Sequence, residues 1–287
     1  MTGIILSLLT SIFESLKDVT AKRSLKNVDE YATAWSLRVF ALPFLLPLLL
    51  FIEIPKIQSQ FWMALVIGGA LNIITTILYM RAIKISDLSL IAPMITFTPF
   101  FLLLTSPIMV GEFPKPLGLL GVILIVIGSY LLNLQERNKG IIAPFKALLK
   151  EEGAKLMLLV AFIWSITSNI DKIGIQGSSA MFWVVAVNVF LTLGMLPVML
   201  YKSPWGAGRI FRNIKSLLPI GLFSAIALTF QMMAVSLTLV TYVISIKRTS
   251  SIINVLLGHF LFKEKNVKQR LLGAAVMVLG VLLITLA

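Results

Sequence analysis

The chain has 287 residues, of which 58% are hydrophobic and 13% are charged, with a mean hydropathy of +0.98. Soluble domains have about 45–50% apolar and about 25% charged residues, so this composition excludes an ordinary soluble domain and predicts a bilayer protein. The lack of cysteine excludes thiol chemistry, and the single histidine, His259, excludes a two-histidine metal motif. The net charge of +13 indicates orientation in a membrane rather than nucleic acid binding.

Ten apolar runs are each long enough to cross a bilayer as a helix, which takes about 20 residues. The runs are continuous rather than alternating, which argues against membrane strands. We therefore predict an all-α integral membrane protein of the cell membrane, either an inner or a plasma membrane, with ten transmembrane helices. The runs are called spans 1 to 10 and cover residues 2–21, 31–52, 61–83, 88–110, 116–134, 155–173, 180–201, 214–235, 239–262 and 271–287.

The second half of the chain repeats the first. A displacement of 152 positions aligns identical residues without a gap: Met80 with Met232, Ala82 with Ala234, Leu104 with Leu256, Glu112 with Glu264, Leu120 with Leu272, Gly121 with Gly273 and Gly128 with Gly280. A displacement of 150 aligns Phe40 with Phe190. We predict two five-helix units, residues 1–134 and 155–287, joined by a basic linker at 135–154. Because five is odd, the units enter the membrane in opposite orientations, as in transporters with inverted repeats.

The positive charges support this inversion. The connections after odd-numbered spans, counted with the adjoining span ends, contain eighteen lysines and arginines, whereas those after even-numbered spans contain three, Lys56, Lys115 and Lys172. Cytoplasmic connections of membrane proteins are rich in these residues. The count therefore places the odd-numbered connections in the cytoplasm and both termini outside.

The end of each unit resembles a known family. The segment Tyr79–Pro93, followed by Gly111, Glu112 and three spaced glycines, resembles the end of an EamA repeat of the drug/metabolite transporter superfamily. The second unit repeats the pattern with Lys263, Glu264 and two of the glycines. The resemblance implies a ten-helix transporter with a central cavity and alternating access. It also implies cytoplasmic termini, the opposite of the charge count.

The paired glutamates Glu112 and Glu264 precede spans 5 and 10. A carboxylate there can cap the N-terminus of the helix that follows and interact favourably with its dipole. The glycines that come next allow close packing of helices in lipid. We interpret both features as structural rather than substrate-binding.

Four cations lie in the interior of predicted spans rather than in connections or at span ends: Lys17, Arg38, Lys247 and Arg248. A lipid-facing charge at the bilayer centre costs about 2.5–3.5 kcal/mol on insertion scales, so these side chains should face protein or water. On a continuous helix Lys247 shares a face with Ser251 and Asn254, and Arg248 points about 100° away. We predict that this region of span 9 binds an anionic group. The Lys-Arg pair is similar to the one that holds the substrate phosphate in triose-phosphate and sugar-phosphate translocators of the same superfamily.

Span 1 contributes two carboxylates on one face, Glu14 and Asp18. They can serve as structural partners of Lys17, Arg38 or the span 9 cations. A membrane-embedded glutamate in span 1 is also what small multidrug resistance proteins use to exchange protons for cationic drugs. The alternative function is therefore a proton-coupled exporter of amino acids or of cationic or amphipathic drugs that uses Glu14, although the nearby cations disfavour a cationic substrate.

The remaining candidates for substrate binding are Arg38 in span 2 and three residues on one face of span 3, Asn72, Thr76 and Tyr79. Hydrogen bonding between helices is the alternative role for each of these polar residues. Asp171 and Lys172, at the end of span 6, are interpreted as an interfacial pair.

The sequence signatures of other protein classes are missing from this chain. The chain has no metal-ligand cluster, Gly-x-Ser-x-Gly motif or phosphate-binding glycine loop, so we predict no enzyme activity, metal or cofactor. Without a nucleotide site, transport would be driven by exchange or an ion gradient. The sequence therefore predicts a secondary transporter, such as an antiporter, of a small phosphorylated or carboxylate metabolite. Its partners would be the substrate and the bilayer, with a functional monomer expected and a dimer left open.

Overall fold

The computed structural model describes residues 1–86, 94–133, 151–203, 206–253 and 267–287, with the backbone alone for 132–133 and 267–271. Within these ranges the protein is helical and has no strand, which confirms the predicted all-α class. The helices are α1 Thr2–Ser24, α2 Glu30–Val39, α3 Leu42–Leu45, a 3₁₀ helix Leu46–Phe51, α4 Ser59–Ile85, α5 Thr98–Val110, α6 Pro116–Asn133, α7 Glu152–Gln176, α8 Ala180–Lys202, α9 Gly206–Arg212, α10 Ile214–Leu237, α11 Val240–Lys247 and α12 Val267–Leu286.

Several of these helices suit a bilayer in length and composition. Within the described ranges, five stretches are long and apolar enough to cross a membrane: Glu30–Phe51, Ser59–Ile85, Glu152–Gln176, Ala180–Lys202 and Ile214–Leu237. Three shorter apolar helices accompany them, Thr98–Val110, Pro116–Leu131 and Leu272–Leu286. Their outer faces carry exposed leucine, isoleucine and phenylalanine side chains, as expected where lipid rather than water surrounds the protein.

Span 2 is not the single helix that the sequence predicted. Helix α2 ends at Val39, Phe40 and Ala41 form a turn, and α3 and the 3₁₀ helix follow. Pro43 and Pro47 each lie at the start of one of these short helices. Proline has no N–H to donate and clashes with the preceding turn of a helix, so the two prolines divide the run into shorter pieces.

Span 9 is also interrupted, at the two residues that follow Lys247. Helix α11 ends there, and Arg248 and Thr249 form a turn. The amide of Thr249 donates to the carbonyl of Ile246 at 2.9 Å, a tighter pattern than the α-helical one. The prediction of a continuous helix over 239–262 is therefore wrong at this point, and residues 254–262 lie outside the described ranges. The equivalent residues of the first unit, Thr96 and Phe97, also form a turn just before α5.

The two units pack on each other with equivalent residues in contact. A Cβ added to Gly121 of α6 would lie 2.6 Å from the carbonyl oxygen of Gly280, and one added to Gly128 would lie 2.7 Å from that of Gly273. Gly273 and Gly280 are the repeat equivalents of Gly121 and Gly128, so α6 and α12 cross antiparallel about an approximate two-fold axis. Helix α1 packs along α10 and α4 along α7, and the repeat exchanges these two pairs. The predicted organisation in two repeats is confirmed.

Glu112 does not cap the helix that follows it. Its Oε2 accepts a hydrogen bond from the amide of Val240, the first residue of α11, at 2.8 Å. Its Oε1 forms an ion pair with Lys172 at 3.1 Å. The prediction of a cap on α6 is therefore wrong, because the folded chain brings the start of α11 within reach of this carboxylate. Its counterpart, Glu264, lies outside the described residues.

The side chains of Lys172 and its neighbour Asp171 do not pair with each other and have different partners. Besides Glu112, the ammonium group of Lys172 donates to the carbonyl oxygens of Val235 at 2.6 Å and Thr238 at 3.0 Å. It thereby satisfies carbonyl groups at the end of α10, while Glu112 satisfies an amide at the start of α11. This arrangement is called the Glu112–Lys172 clamp. The interpretation of Asp171 and Lys172 as one interfacial pair is wrong, because Asp171 faces the interior.

Candidate substrate cavity

A cavity of about 100 Å³ lies where the two units meet. Its lining includes repeat-equivalent positions from both units: Leu37 and Val187, Arg38 and Asn188, Asn72 and Ser224, Thr76 and Leu228, Tyr79 and Gln231, and Met80 and Met232. Because each position and its equivalent both reach the cavity, the cavity lies at the approximate two-fold axis. In transporters built from inverted repeats, the substrate site lies at this kind of interface.

Glu14 of α1 is the centre of a buried ion cluster. Its Oε1 contacts the ammonium group of Lys17 at 2.7 Å and that of Lys247 at 3.2 Å. Lys247 also donates to Oε1 of Gln231 at 2.8 Å. A charge removed from water needs partners of this kind. The cluster ties α1 to α10 and α11, so the structural alternative for Lys247, a pair with Glu14, is present.

Asp18, one turn further along α1, belongs to the same cluster. Its Oδ1 accepts a hydrogen bond from the hydroxyl of Tyr79 at 2.9 Å and lies 3.4 Å from the ammonium group of Lys17. Lys17 in turn lies 5.8 Å from the centroid of the Tyr79 ring. Both carboxylates predicted in span 1 therefore have cationic and hydrogen-bonding partners.

The two arginines of the cavity have no such carboxylate. Nη2 of Arg38 donates to the Thr76 hydroxyl at 3.1 Å, and Nη2 of Arg248 donates to the Thr98 hydroxyl at 3.0 Å. Among the described residues, no carboxylate oxygen lies within 4.0 Å of either guanidinium group, and both Nε atoms are buried without a hydrogen-bond partner. The guanidinium carbon of Arg248 lies 5.7 Å from the centroid of the Trp164 ring. The arginines therefore retain the capacity to bind an anion.

The cavity also contains a hydrogen-bond acceptor that has no donor. Asn188 donates from Nδ2 to the backbone carbonyl of Arg38 at 2.9 Å, while its Oδ1 is buried and has no partner in the described part of the chain.

Asp171 of α7 accepts a hydrogen bond at Oδ1 from the indole N–H of Trp183 at 3.0 Å. Trp183 is fully buried, so it fixes the position of this carboxylate.

The structure brings together most of the residues that the sequence singled out. The cavity is lined by Glu14, Arg38, Asn72, Thr76, Tyr79, Lys247 and Arg248. Lys247 and Arg248 both reach it, Lys247 as the last residue of α11 and Arg248 from the turn that follows. Ser251 is buried but does not line the cavity. Asn254 lies outside the described residues. Whether any of them binds substrate stays a prediction.

The cavity lining also includes polar residues that were not predicted as site residues, notably Trp164, Asp171 and Asn188. Asn188 is the repeat equivalent of Arg38, so the displacement of 150 positions could have identified it. Asp171 was placed near the membrane surface because span 6 was predicted to end at residue 173. The helix continues to Gln176, and Asp171 lines the cavity.

Comparisons with known proteins agree with this architecture. The chain matches the EamA-like transporter family over residues 1–134 and again over residues 152–286. A search of curated proteins gave no match. A solved structure described as "Crystal structure of protein" superposes with a TM-score of 0.71, covering 99% of this chain and 96% of that one at 15% sequence identity. At this identity the likeness shows the fold alone.

Proposed function

Because this chain belongs to the EamA-like transporter family, within the drug/metabolite transporter superfamily, we propose that it is a secondary transporter of a small organic anion. The protein is a multi-pass membrane transporter. The proposal concerns its substrate, which would carry a carboxylate or phosphate group bound by Arg38 and Arg248. Transport would proceed by alternating access between the two repeats.

The observation that carries this proposal is the state of the two guanidinium groups. Each makes one side-chain hydrogen bond to a threonine hydroxyl, and among the described residues neither has a carboxylate within 4.0 Å. A guanidinium group offers five N–H donors in a planar fork that matches carboxylate and phosphate. Buried donors without acceptors are unfavourable, so a bound anion would satisfy both arginines.

The balance of charge in the cavity supports an anion as well. Its lining contains four cations and two carboxylates: Lys17, Arg38, Lys247 and Arg248 against Glu14 and Asp171. Asp18 adds one negative charge beside the cavity, which leaves a net positive charge. Lys247, first predicted to bind the anion directly, has Glu14 and Gln231 as acceptors. In this proposal it neutralises Glu14, and the arginines hold the substrate.

The alternative, proton-coupled export of a cation through Glu14, has less support. Two ammonium groups lie within 3.2 Å of this carboxylate. A cationic drug would have to displace both of them and enter a cavity that is already positive. The geometry is therefore better suited to Glu14 as a counter-ion than as the binding site for a cation.

Counterflow in liposomes tests the substrate class. Purified protein would be reconstituted and loaded in turn with sugar phosphates, carboxylates, amino acids and cationic dyes. We expect exchange with one of the two anionic panels. Arg248→Gln and Arg38→Gln should each weaken binding of the active anion by roughly tenfold to a hundredfold, since a charge-assisted hydrogen bond contributes about 1.5–3 kcal/mol.

The matched control is Arg212→Gln, an exposed arginine of α9. This variant should exchange the same anion as the wild type. Exchange of cationic dyes alone, abolished by Glu14→Gln, would contradict the proposal and favour the alternative.

A further inference from the structure

Asp171 is a buried carboxylate that anion binding does not use. It is 8% exposed, lines the cavity and accepts a hydrogen bond from the indole N–H of Trp183 at 3.0 Å. In the described part of the chain, no lysine or arginine nitrogen lies within 4.0 Å of it. Glu14 and Asp18 differ in this respect, because each has an ammonium group within 3.4 Å.

The ionisable groups around Asp171 are distributed over several helices. Across the cavity lie Arg38, from the end of α2, and Lys247, from the end of α11; the rest of the ionisable lining is Glu14, Lys17, Tyr79 and Arg248. Among the described residues, α5, α8 and α10 contribute no ionisable side chain to the lining. The neighbouring Lys172 is held by Glu112 and by two backbone carbonyls. Asp171 therefore faces cations only at a distance.

A buried carboxylate without an adjacent cation is costly while it is charged, and uptake of a proton removes that cost. Ionised Asp171 also opposes an anion in the same small cavity, since its charge partly cancels that of the arginines. Protonation would remove this repulsion and raise the net charge of the cavity by one. The proton and the anion therefore favour each other's binding, and this coupling is reciprocal by thermodynamic necessity.

We propose that Asp171 is a proton-binding site whose occupancy is coupled to anion binding, so that the protein carries a proton together with its anionic substrate. This inference rests on the proposed anion site at Arg38 and Arg248. The proton passes from water to the carboxylate oxygen that does not accept from Trp183, and the carboxylate becomes a neutral carboxylic acid. On the other side the anion leaves and the carboxylic acid gives its proton back to water, and the empty carrier then returns with Asp171 ionised. For a monoanion, the pair that crosses is electrically neutral.

Binding of methanesulfonate to the protein in lipid nanodiscs tests the coupling. The single negative charge of this probe does not change over the pH range used, so any pH dependence belongs to the protein. Because the protonated state binds the anion more tightly, affinity should be highest at low pH and fall as pH rises through the titration of Asp171. We expect a change of about tenfold, within the roughly 5- to 150-fold range usual for coupled sites, and proton uptake on binding.

Asp171→Asn provides the decisive comparison. Asparagine is neutral and keeps an oxygen for the Trp183 N–H. This variant should bind methanesulfonate at every pH with the affinity of the wild type at low pH, and without proton uptake. Asp18→Asn is the matched control, because Asp18 is a partly buried carboxylate beside the cavity that has Lys17 and Tyr79 as partners. It should retain the pH dependence.

Infrared difference spectroscopy supplies a readout that needs no ligand. Acid also protonates other carboxyl groups, so the spectrum of Asp171→Asn is subtracted from those of the wild type and of Asp18→Asn. On acidification both differences should show the carbonyl stretching band of protonated Asp171. Adding methanesulfonate at fixed pH should increase it. Absence of this band from the difference between the wild type and Asp171→Asn would overturn the inference.

The binding results separate the two proposals. If methanesulfonate binds, binding is weakened in Arg248→Gln, and no proton is taken up, then the proton site is wrong and the anion site stands. If methanesulfonate binds neither to the wild type nor to Asp171→Asn, the anion site is wrong and the coupling fails with it.

Discussion

The interface between α6 and α12 and the central cavity show opposite outcomes of the same duplication. At the interface, Gly121 and Gly128 meet Gly280 and Gly273, so equivalent residues have stayed identical. At the cavity, equivalent positions carry different side chains, such as Arg38 and Asn188 or Tyr79 and Gln231. A crossing of two backbones needs a small residue from both helices, whereas a cavity needs only sufficient volume and satisfied charges.

At the turn in span 9, the two units share the backbone conformation but differ in their side chains. The backbone turn at Arg248 and Thr249 has its counterpart 152 positions earlier at Thr96 and Phe97, so the interruption of the helix is shared by the two units. The side chains differ, and only the second unit has an arginine there. The hydrogen bond from Arg248 to Thr98 joins the two interruptions. Both units thus keep the turn, and the charge of Arg248, present in the second unit alone, makes the cavity asymmetric.

The largest effect is expected from the ion cluster of the cavity. Glu14→Gln leaves Lys17 and Lys247 without their shared counter-ion, and breaking a buried pair in this way costs about 3–5 kcal/mol. Adding Lys247→Met should restore part of the loss, since Lys17 still has Asp18 at 3.4 Å. Thermal unfolding in detergent measures both. Equal stability of the wild type and Glu14→Gln would mean that the cluster does not stabilise the cavity.

The glycine interface should show the next largest effect. In Gly128→Ala the new methyl group would lie 2.7 Å from the Gly273 carbonyl, and overpacking of this kind costs about 1–3 kcal/mol. Gly208→Ala is the control, because a Cβ there has nothing within 4 Å. The same unfolding assay compares them. If Gly128→Ala were as stable as Gly208→Ala, identity between the repeats would not reflect packing at this interface.

A smaller effect is expected at the Glu112–Lys172 clamp. Glu112→Gln keeps an acceptor for the Val240 amide but removes the charge, and loss of a helix cap or of a charged hydrogen bond costs about 0.5–2 kcal/mol. Glu152→Gln removes the partner of Arg81 from an exposed pair, where the cost is about 0.2–1 kcal/mol. A greater loss of thermal stability in Glu152→Gln would contradict the role assigned to the clamp.

The orientation of the protein in the membrane can be measured with a fused reporter, without any substitution that alters stability. If the eighteen-to-three bias of lysine and arginine governs insertion, a reporter fused after Ala287 will report from outside. The Glu112–Lys172 clamp would then lie on the outer side of the membrane. A cytoplasmic signal would instead support the orientation implied by the family resemblance.

The sequence alone determined the class, the repeats and the family. Apolar run length is a local property that decides whether a segment can cross a bilayer, and a displacement of 152 positions can be read without coordinates. For the same reason, the cations Arg38, Lys247 and Arg248 could be expected to face the interior, since lipid excludes them whatever the fold.

Only the tertiary structure decided which partner each charge has. Glu112 contacts the start of α11 rather than α6, Lys247 contacts Glu14, and Asp171 faces the cavity while Lys172 joins the clamp. These choices depend on side chains from helices far apart in the chain, and in a low-dielectric interior the nearest oppositely charged or hydrogen-bonding group determines the arrangement. A sequence shows which residues need partners, and packing determines which partners they have.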